Sequence, residues 1–324
     1  MGDYFDNLIQ TLIKVMWQAK PFSPKFFTIS AIILQIFQNQ KSLTNYVNKN
    51  ELRSEYDYIV IGAGSAGSVM ASRLSEDPDK SVLLLEAGMP ENIITTIPRC
   101  IFILHETPVD WAYLTEPQRN SCWGIKDRRS RFSKGKLMGG SSAINGMIVS
   151  RGNPRDYDKW KAEGCLGWGW ADLFPYFIKL EDNQDDIMVD TGYHGKGGPV
   201  TISNQTYGET ISYAFRDVAP YLNISIGDHL GPTQTVFQMP QRTDLNGERL
   251  SVARAYLQSI PELRSNLDIF TKAFVTKILF DETKRTVGVS AVINGEKKEI
   301  KVRKEIVLSA GAIQSPQLLM LSGI

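Results

Sequence analysis

A glycine-rich turn near residue 60 is the first feature of the sequence that indicates binding chemistry. It consists of Gly62, Ala63, Gly64, Ser65, Ala66 and Gly67. In a G-x-G-x-x-G pattern the first glycine allows a tight turn, the second lets the backbone approach a pyrophosphate, and the third lets a helix pack closely on a sheet. Unpaired N–H groups at the start of that helix favour the negative charge of phosphates. The pattern therefore predicts a dinucleotide site.

The elements that must position this turn are also visible in the sequence. An apolar, β-branched run at 56–61 predicts a strand before the turn, and residues 68–76 are compatible with a helix after it. A second apolar run at 81–85 predicts another buried strand, which ends at Glu86. A carboxylate there can accept hydrogen bonds from a ribose and would repel a 2′-phosphate, which disfavours NADP. The fingerprint leaves FAD and NAD open, and the Ala87-Gly88 that follows Glu86 favours FAD.

A second glycine-rich element lies in the run K-G-K-L-M-G-G-S-S-A-I-N-G-M-I at residues 134–148. Gly139 and Gly140 offer another place where backbone can approach a ligand, and the residues from Ala143 to Ile148 are compatible with a helix. From these residues alone, an ordinary loop is as good an interpretation as a ligand contact.

This run closely resembles the first signature of the glucose–methanol–choline (GMC) oxidoreductase family, and G-A-I-Q-S-P-Q-L-L-M-L-S-G-I at 311–324 resembles the second. The opening from Tyr56 to Gly88 is also typical of the family, as are D-W-A-Y at 110–113 and Y-H-G at 193–195. The similarity extends from about Tyr56 to the last residue. On this resemblance the chain is identified as a member of the family, in phrasing nearest to its glucose dehydrogenase-like and choline dehydrogenase-like branches.

The resemblance implies an FAD-dependent oxidoreductase that oxidises the CH–OH group of an alcohol or sugar by hydride transfer to the flavin and passes electrons to a quinone-type acceptor. It implies that the glycine turn holds the FAD pyrophosphate, that Glu86 holds the adenosine ribose, and that Val275 contacts the adenine through its backbone. The residues implied around the isoalloxazine and ribityl groups are Leu137, Asn145, Gly146, Met147 and Ile148. Leu137 and Val275 are also compatible with ordinary core positions.

The sequence predicts no catalytic residue. Members of the family carry the catalytic histidine after the second signature, and that part is not among these 324 residues. We expect His105, His194 and His229 to be structural or surface residues rather than a catalytic base. The alternative to an active oxidoreductase is therefore a catalytically inactive FAD-binding fragment, or a degenerate family member with a scaffold or partner role.

Composition and charge exclude several other classes of protein. The 36 Lys and Arg residues nearly balance the 35 Asp and Glu residues, which indicates no electrostatic binding of nucleic acid. The three cysteines form no C-x-x-C pair and no ligand cluster with histidine, so we expect no metal site. The apolar run at 26–37 is too short to span a bilayer but suits a signal peptide, which weakly favours a secreted or membrane-associated protein over a cytoplasmic one. An amphipathic helix or disordered lead-in is the alternative.

The predicted fold class is α/β, a Rossmann-like FAD-binding domain with an inserted, partial α+β substrate domain. We expect residues 1–54 to form a leader or linker, 56–150 and 265–324 the FAD-binding domain, and 151–264 part of the substrate domain. Residues 266–307 predict a β-meander of three strands, with turns at 282–285 and 294–295. The acidic run at 181–190 and the glycine-rich run at 192–199 predict an excursion on the surface.

Overall fold

The computed structural model describes residues 47–48, 51–205, 210–258, 260 and 264–324. The predicted signal or anchor segment lies outside these residues. Two compact units are present: one consists of the described residues up to Ile144 together with 264–324, and the other runs from Asn145 to Ile260. The change of unit thus falls after residue 144, whereas the sequence predicted a domain boundary after 150. Among the described residues, no helix has the length and apolar character needed to cross a bilayer.

The α-helices are α1 (Ser65–Leu74), α2 (Ile93–Thr96), α3 (Ile101–Leu104), α4 (Pro154–Ala162), α5 (Trp170–Leu180), α6 (Asp186–Asp190), α7 (Thr210–Val218) and α8 (Gly311–Ser322). The strands are β1 (Glu55–Ile61), β2 (Val82–Leu85), β3 (Tyr113–Leu114), β4 (Arg131–Phe132), β5 (Glu181–Asn183), β6 (Val200–Ile202), β7 (Ser225–Ile226), β8 (Val236–Phe237), β9 (Asp244–Leu245), β10 (Glu248–Arg249), β11 (Leu267–Phe270), β12 (Ala273–Phe280), β13 (Thr286–Ile293) and β14 (Glu296–Leu308).

The first unit is built on a six-stranded sheet in the order β11-β2-β1-β14-β13-β12. The first four strands run parallel, and β12, β13 and β14 form an antiparallel meander. The 13-residue β14 joins the two parts, because its first half pairs with β13 and its second half pairs with β1. This sheet with its helices confirms the predicted α/β class.

The parallel strands end at one level. Ile61 pairs with Leu85 on one side and with Leu308 on the other, and Leu85 pairs in turn with Phe270. The apolar runs that predicted β1 and β2 are almost completely buried, as near-continuous hydrophobic strands are when both faces of a sheet are covered. Each fully buried leucine or isoleucine there contributes about 2 kcal/mol, which fixes the level at which the loops leave the sheet.

The predicted meander is partly wrong. The run that was expected to form its first strand is divided into β11, which pairs with β2, and β12, which pairs with β13. The division occurs at Lys272, whose φ is +53° and whose N–H donates to the Gly88 carbonyl at 2.7 Å. The two predicted turns are confirmed. Asn294 and Gly295 both have positive φ, the conformation of a type I′ hairpin turn.

Two further expectations are corrected by the structure. No helix follows Ala143; instead a short 3₁₀ turn covers Gly140–Ala143, because Gly139 and Gly140 open it with φ of +83° and +53°, and Met147 also has positive φ. The runs at 181–190 and 192–199 are not a simple surface excursion either. They contain β5 and α6, and Glu181, Asn183 and His194 are buried.

The second unit combines α4 to α7 with short two-stranded sheets. Its α5 begins after Gly169, whose N–H is accepted by the Asp172 carboxylate at 3.2 Å, and packs its aromatic side chains on α4. Tyr157 of α4 contacts both Trp170 and Phe177 of α5, with ring centroids 5.8 Å apart. Such offset aromatic pairs combine a large buried area with a defined geometry.

Candidate functional site

A cavity of about 560 Å³ opens in the first unit where the parallel strands end. Residues of the loops after β1, β2 and β14 line it, together with residues from 111–113, 134–141 and 273–275. In open parallel sheets the crevice beyond the carboxyl ends of the strands is the usual position of a ligand. The position of the cavity therefore follows from the strand order.

The glycine turn after β1 has three glycines with different surroundings. Gly62 has a φ of +94°, and a Cβ placed on it would lie 2.7 Å from the Ser309 carbonyl oxygen. A Cβ on Gly67 would lie 1.8 Å from the Gly62 carbonyl oxygen. On Gly64 the nearest atom would be 3.9 Å away, and this residue lines the cavity. Gly62 and Gly67 are thus required by the fold, whereas Gly64 leaves space that only a ligand would use.

The second glycine-rich run meets the first. Gly139 donates its N–H to the Ala63 carbonyl at 2.8 Å, and a Cβ on Gly140 would lie 2.7 Å from the Gly64 Cα. Gly64 and Gly140 therefore touch backbone to backbone, and both line the cavity. The two runs therefore meet at a patch of bare backbone.

The N-terminus of α1 opens at this surface. Its N-cap is Gly64, which has no side chain to accept from the first-turn N–H groups, and Ser65 and Ala66 of that turn line the cavity. The helix is ten residues long, so its dipole adds partial positive charge at this end. Lys134 also lines the cavity. The arrangement favours an anionic group such as a pyrophosphate.

Glu86 lies at the end of β2 and lines the same cavity. One carboxylate oxygen accepts from the Ala63 N–H at 2.8 Å and the other accepts from the Gly88 N–H at 2.8 Å. Burial raises the pKa of Glu86 to about 7, against the two hydrogen bonds and the charge of Lys136, which lower it. Near neutral pH this carboxyl group is therefore divided between its charged and neutral forms.

An aromatic wall, formed by Trp111, Tyr113 and Phe274, lines another side of the cavity. Trp111 stacks on Tyr113 with centroids 6.0 Å apart, contacts Phe274 at 6.2 Å, and carries the Lys136 Nζ 4.5 Å above its ring. Sequence reasoning gave these residues no role. The D-W-A-Y phrase at 110–113 was the available signal, because two aromatic side chains next to polar residues can indicate a ligand contact.

The other residues predicted to bind the cofactor lie in different surroundings. Val275 lines the cavity. Leu137 is completely buried in a cluster with Ile94 and Val109 and does not line it. Asn145, Gly146, Met147 and Ile148 belong to the second unit. The Asn145 side-chain oxygen accepts from the Met147 N–H at 3.0 Å and from Arg249 at 2.9 Å, and Ile148 is 63% exposed. Their contact with a flavin stays a prediction.

A buried ion cluster in the second unit contains Arg151, Glu181, His194 and Asp228. Glu181 binds Arg151 and, at 2.9 Å, the Nδ1 of His194, while the Nε2 of His194 lies 3.0 Å from Asp228. Burial disfavours a charged imidazole, but the two carboxylates outweigh it and raise the pKa of His194 to about 9. Opposite charges thus balance within the cluster, which explains how Glu181 can be buried although the rest of the acidic run is mostly half-buried or exposed.

The three histidines make different side-chain contacts. His194 is held on both ring nitrogens within the ion cluster, and His229 bonds to Gln238. His105 is half-buried and makes an edge contact with Phe102. That none of them is a catalytic base stays a prediction.

Comparisons with known proteins agree with this geometry. The family described as GMC oxidoreductase matches residues 56–324. Glucose dehydrogenase (FAD, quinone) of Drosophila pseudoobscura pseudoobscura is 42% identical over 278 residues, which is 85% of this chain and 44% of that protein. Mitochondrial choline dehydrogenase of Homo sapiens is 38% identical over 287 residues, with 85% and 46% covered.

A solved structure is similar as well. Pyridoxine 4-oxidase from Mesorbium loti superposes with a TM-score of 0.73 at 33% identity, covering 83% of this chain and 52% of that one. The chain spans about half the length of the curated relatives it matches. The resemblance found in the sequence is confirmed, and the chain belongs to the GMC oxidoreductase family.

Proposed function

We propose that this chain, as a member of the GMC oxidoreductase family, forms the FAD-binding part of an enzyme that oxidises the CH–OH group of an alcohol or sugar. One observation carries the proposal: the backbone surface made by Gly64 and Gly140 opens beside the N-terminus of α1 and the carboxylate of Glu86. A pyrophosphate and a ribose need these features side by side.

The residues of the cavity fit this cofactor. The space that a Cβ on Gly64 would fill accommodates the pyrophosphate, next to the first-turn N–H groups and the charge of Lys134. Glu86 would accept from the ribose hydroxyls, and Val275 and the aromatic wall would hold the adenine by backbone and stacking contacts. When bound, FAD supplies the acceptor for the hydride that leaves the CH–OH carbon.

Glu86 also has to adjust its charge. Its carboxyl group already accepts two backbone N–H groups, and its ionised form offers more and stronger acceptor sites to ribose hydroxyls than its protonated form does. Since burial raises its pKa to about 7, binding of a hydroxyl pair would draw Glu86 to its ionised form and release part of a proton. The same carboxylate would repel a 2′-phosphate.

The relatives' names support the substrate class and one acceptor. They include a glucose dehydrogenase with quinone in its name, an alcohol dehydrogenase (acceptor) of Pseudomonas putida and choline dehydrogenases. All three donors carry a CH–OH group. We propose a quinone-type acceptor for this chain, because its identity to the glucose dehydrogenase is 42% and to the choline dehydrogenase 38%.

The experiment is an FAD titration of the purified chain, followed by anaerobic addition of glucose, choline or a primary alcohol. Wild type is compared with Gly64→Ala, and with Gly124→Ala as the matched control, because a Cβ on Gly124 meets no atom within 4 Å. We expect wild type and Gly124→Ala to bind FAD alike and Gly64→Ala to bind it weakly. Reduced flavin is then offered a soluble quinone or oxygen.

The outcomes separate the hypotheses. Bleaching of the flavin by a donor, with faster reoxidation by quinone than by oxygen, supports the oxidoreductase and its acceptor. Bound FAD that no donor bleaches supports FAD binding by this chain without oxidoreductase activity of its own. Absence of binding at saturating FAD contradicts both.

A further inference from the structure

A basic hairpin projects from the first unit between the aromatic wall and the second glycine run. Its stem is the antiparallel pair β3–β4, extended by a hydrogen bond from the Thr115 N–H to the Ser130 carbonyl at 3.0 Å. Between Tyr113 and Phe132 five residues are Lys or Arg and two are Asp or Glu, whereas the whole chain has a net charge of +1. Five minus two gives this hairpin a net charge of +3, so it is more positive than the chain as a whole.

The tip of the hairpin, residues 119–128, combines these cations with exposed apolar side chains. Trp123 is 68% exposed and Ile125 is 47% exposed. Arg128 lies over the Trp123 ring at 4.2 Å, and Arg119 and Lys126 are exposed. Neither of these two side chains makes a hydrogen bond or ion pair within the described part of the chain.

The backbone of the tip is bonded internally. The Ile125 N–H donates to the Cys122 carbonyl at 3.0 Å, and the Arg128 N–H donates to the Ile125 carbonyl at 3.0 Å. Cys122, Asp127 and Arg128 adopt positive φ, so the chain reverses tightly around Trp123. These two N–H groups already have acceptors, which lowers the cost in lost hydrogen bonds with water when the tip enters the headgroup border.

We propose that the tip of the basic hairpin docks the protein on an anionic lipid surface, with Trp123 and Ile125 at the headgroup border and Arg119, Lys126 and Arg128 on the lipid phosphates. Trp is the side chain most suited to that border, because its ring is apolar and its N–H reaches water. Lys and Arg extend their charged ends outward from such a site. Charge and apolar side chains contribute together, as in other peripheral anchors.

An acidic protein surface is the other partner that the charge could attract. A lipid surface is favoured because Trp123 and Ile125 are exposed among the cations of the turn, where a bilayer border can meet them without a complementary pocket. The proposal does not depend on the proposed enzymatic function, since no residue of the tip lines the cofactor cavity.

The experiment is sedimentation of the full 324-residue chain with vesicles of phosphatidylcholine containing phosphatidylserine, and with vesicles of phosphatidylcholine alone. The test variant is Arg119→Gln/Lys126→Gln. The matched control is Lys297→Gln/Lys301→Gln, which removes two exposed cations of β14. Each Lys or Arg near an anionic surface contributes roughly fivefold to partitioning, so we expect the test variant to bind roughly 30-fold more weakly and the control to bind as wild type.

A second measurement reports on insertion. Brominated lipids quench tryptophan that enters the bilayer border, and we expect quenching in wild type to be lost in Trp123→Ala but kept in Trp168→Ala, which also removes an exposed tryptophan. Far-UV circular dichroism and thermal unfolding check that the variants fold.

Three results would overturn the proposal. The first is equal binding to neutral and anionic vesicles, which would indicate an apolar anchor elsewhere. The second is an equal loss of vesicle binding in the two charge variants, which would indicate attraction by the protein's overall charge rather than by this tip. The third is binding to polyglutamate without binding to vesicles, which would indicate an acidic protein partner.

Discussion

Replacing Gly64 or Gly67 by alanine adds one methyl group to the same turn but should change different properties of the protein. A Cβ on Gly67 would lie 1.8 Å from the Gly62 carbonyl oxygen and 2.6 Å from the Ser309 Oγ. A Cβ on Gly64 would have no atom nearer than 3.9 Å. We therefore expect Gly67→Ala to damage the fold and Gly64→Ala to damage only FAD binding.

The magnitudes follow from these distances. The Gly67 contact is about 1.6 Å shorter than ordinary van der Waals contact, and the atom it meets is backbone, so α1 would have to move off β1. Overpacking of this kind costs about 3 kcal/mol or more, which lowers the melting temperature by roughly 6–12 °C. For Gly64→Ala, a poorer N-cap and a less flexible unfolded chain oppose each other, leaving stability within about 1 kcal/mol.

The assay measures both properties on each variant. Thermal unfolding without FAD gives stability, and flavin titration gives affinity, with Gly124→Ala as the control. If the added methyl group costs about 1–3 kcal/mol against a tightly fitted pyrophosphate, the FAD dissociation constant of Gly64→Ala rises roughly 5- to 150-fold. If Gly64→Ala bound FAD as wild type does, or if Gly67→Ala kept its melting temperature, the reasoning about this turn would be refuted.

Three further predictions concern charge. Because burial raises the pKa of Glu86 to about 7, the FAD dissociation constant should fall by up to about tenfold per pH unit as pH rises towards 7 and then level off, and Glu86→Gln should remove this slope. In the ion cluster, burial lowers the pKa of His194, but the carboxylates of Glu181 and Asp228 outweigh it and raise that pKa to about 9. The stabilisation from the cluster is therefore complete below pH 6.5 and is lost as pH rises through 9, by about 3 kcal/mol in the free energy of unfolding, and His194→Gln should lack this loss. Arg303→Ala should lower the free energy of unfolding only slightly, and less in high salt, because the Arg303 side chain is 47% exposed although it pairs with Glu55 and Asp57.

Titrations and chemical unfolding across pH check these three expectations. An FAD affinity that is independent of pH would contradict the first. The second fails if wild type and His194→Gln lose stability in parallel between pH 7 and 10. If Arg303→Ala lowered the free energy of unfolding as much as His194→Gln does, the ion pairs of Arg303 would be stronger than the exposure of its side chain allows.

Much of the first unit could be predicted from the sequence because its signals are local. The apolar runs that became β1 and β2, the glycine turn between strand and helix, and the Asn294-Gly295 hairpin each lie within a few residues. The division between β11 and β12 was missed because it depends on a tertiary bond from Lys272 to the Gly88 carbonyl. No pattern within the run itself carries that information.

The buried ion cluster illustrates a second limit. Glu181 and His194 stand in a run whose composition is typical of exposed loops, and their burial depends on Arg151, thirty residues before Glu181. A charged residue is expected at the surface unless a partner compensates it, and the partner is identified only by the fold. Composition therefore could not predict that Glu181 and His194 are buried.

The contact between Gly64 and Gly140 unites the two glycine-rich runs into one argument. Each run alone allows an ordinary loop, but a Cβ on Gly140 would lie 2.7 Å from the Gly64 Cα, so Gly140 must remain glycine for the second run to approach the first. Gly139 fixes that approach by donating to the Ala63 carbonyl, next to the Ala63 N–H that Glu86 holds. The turn, the carboxylate and the second run are thus mechanically linked. A shift of one of them therefore moves the others. The methyl group of Gly140→Ala would press on the Gly64 backbone and displace it, so we expect this variant to weaken FAD binding although the methyl group itself would point at backbone.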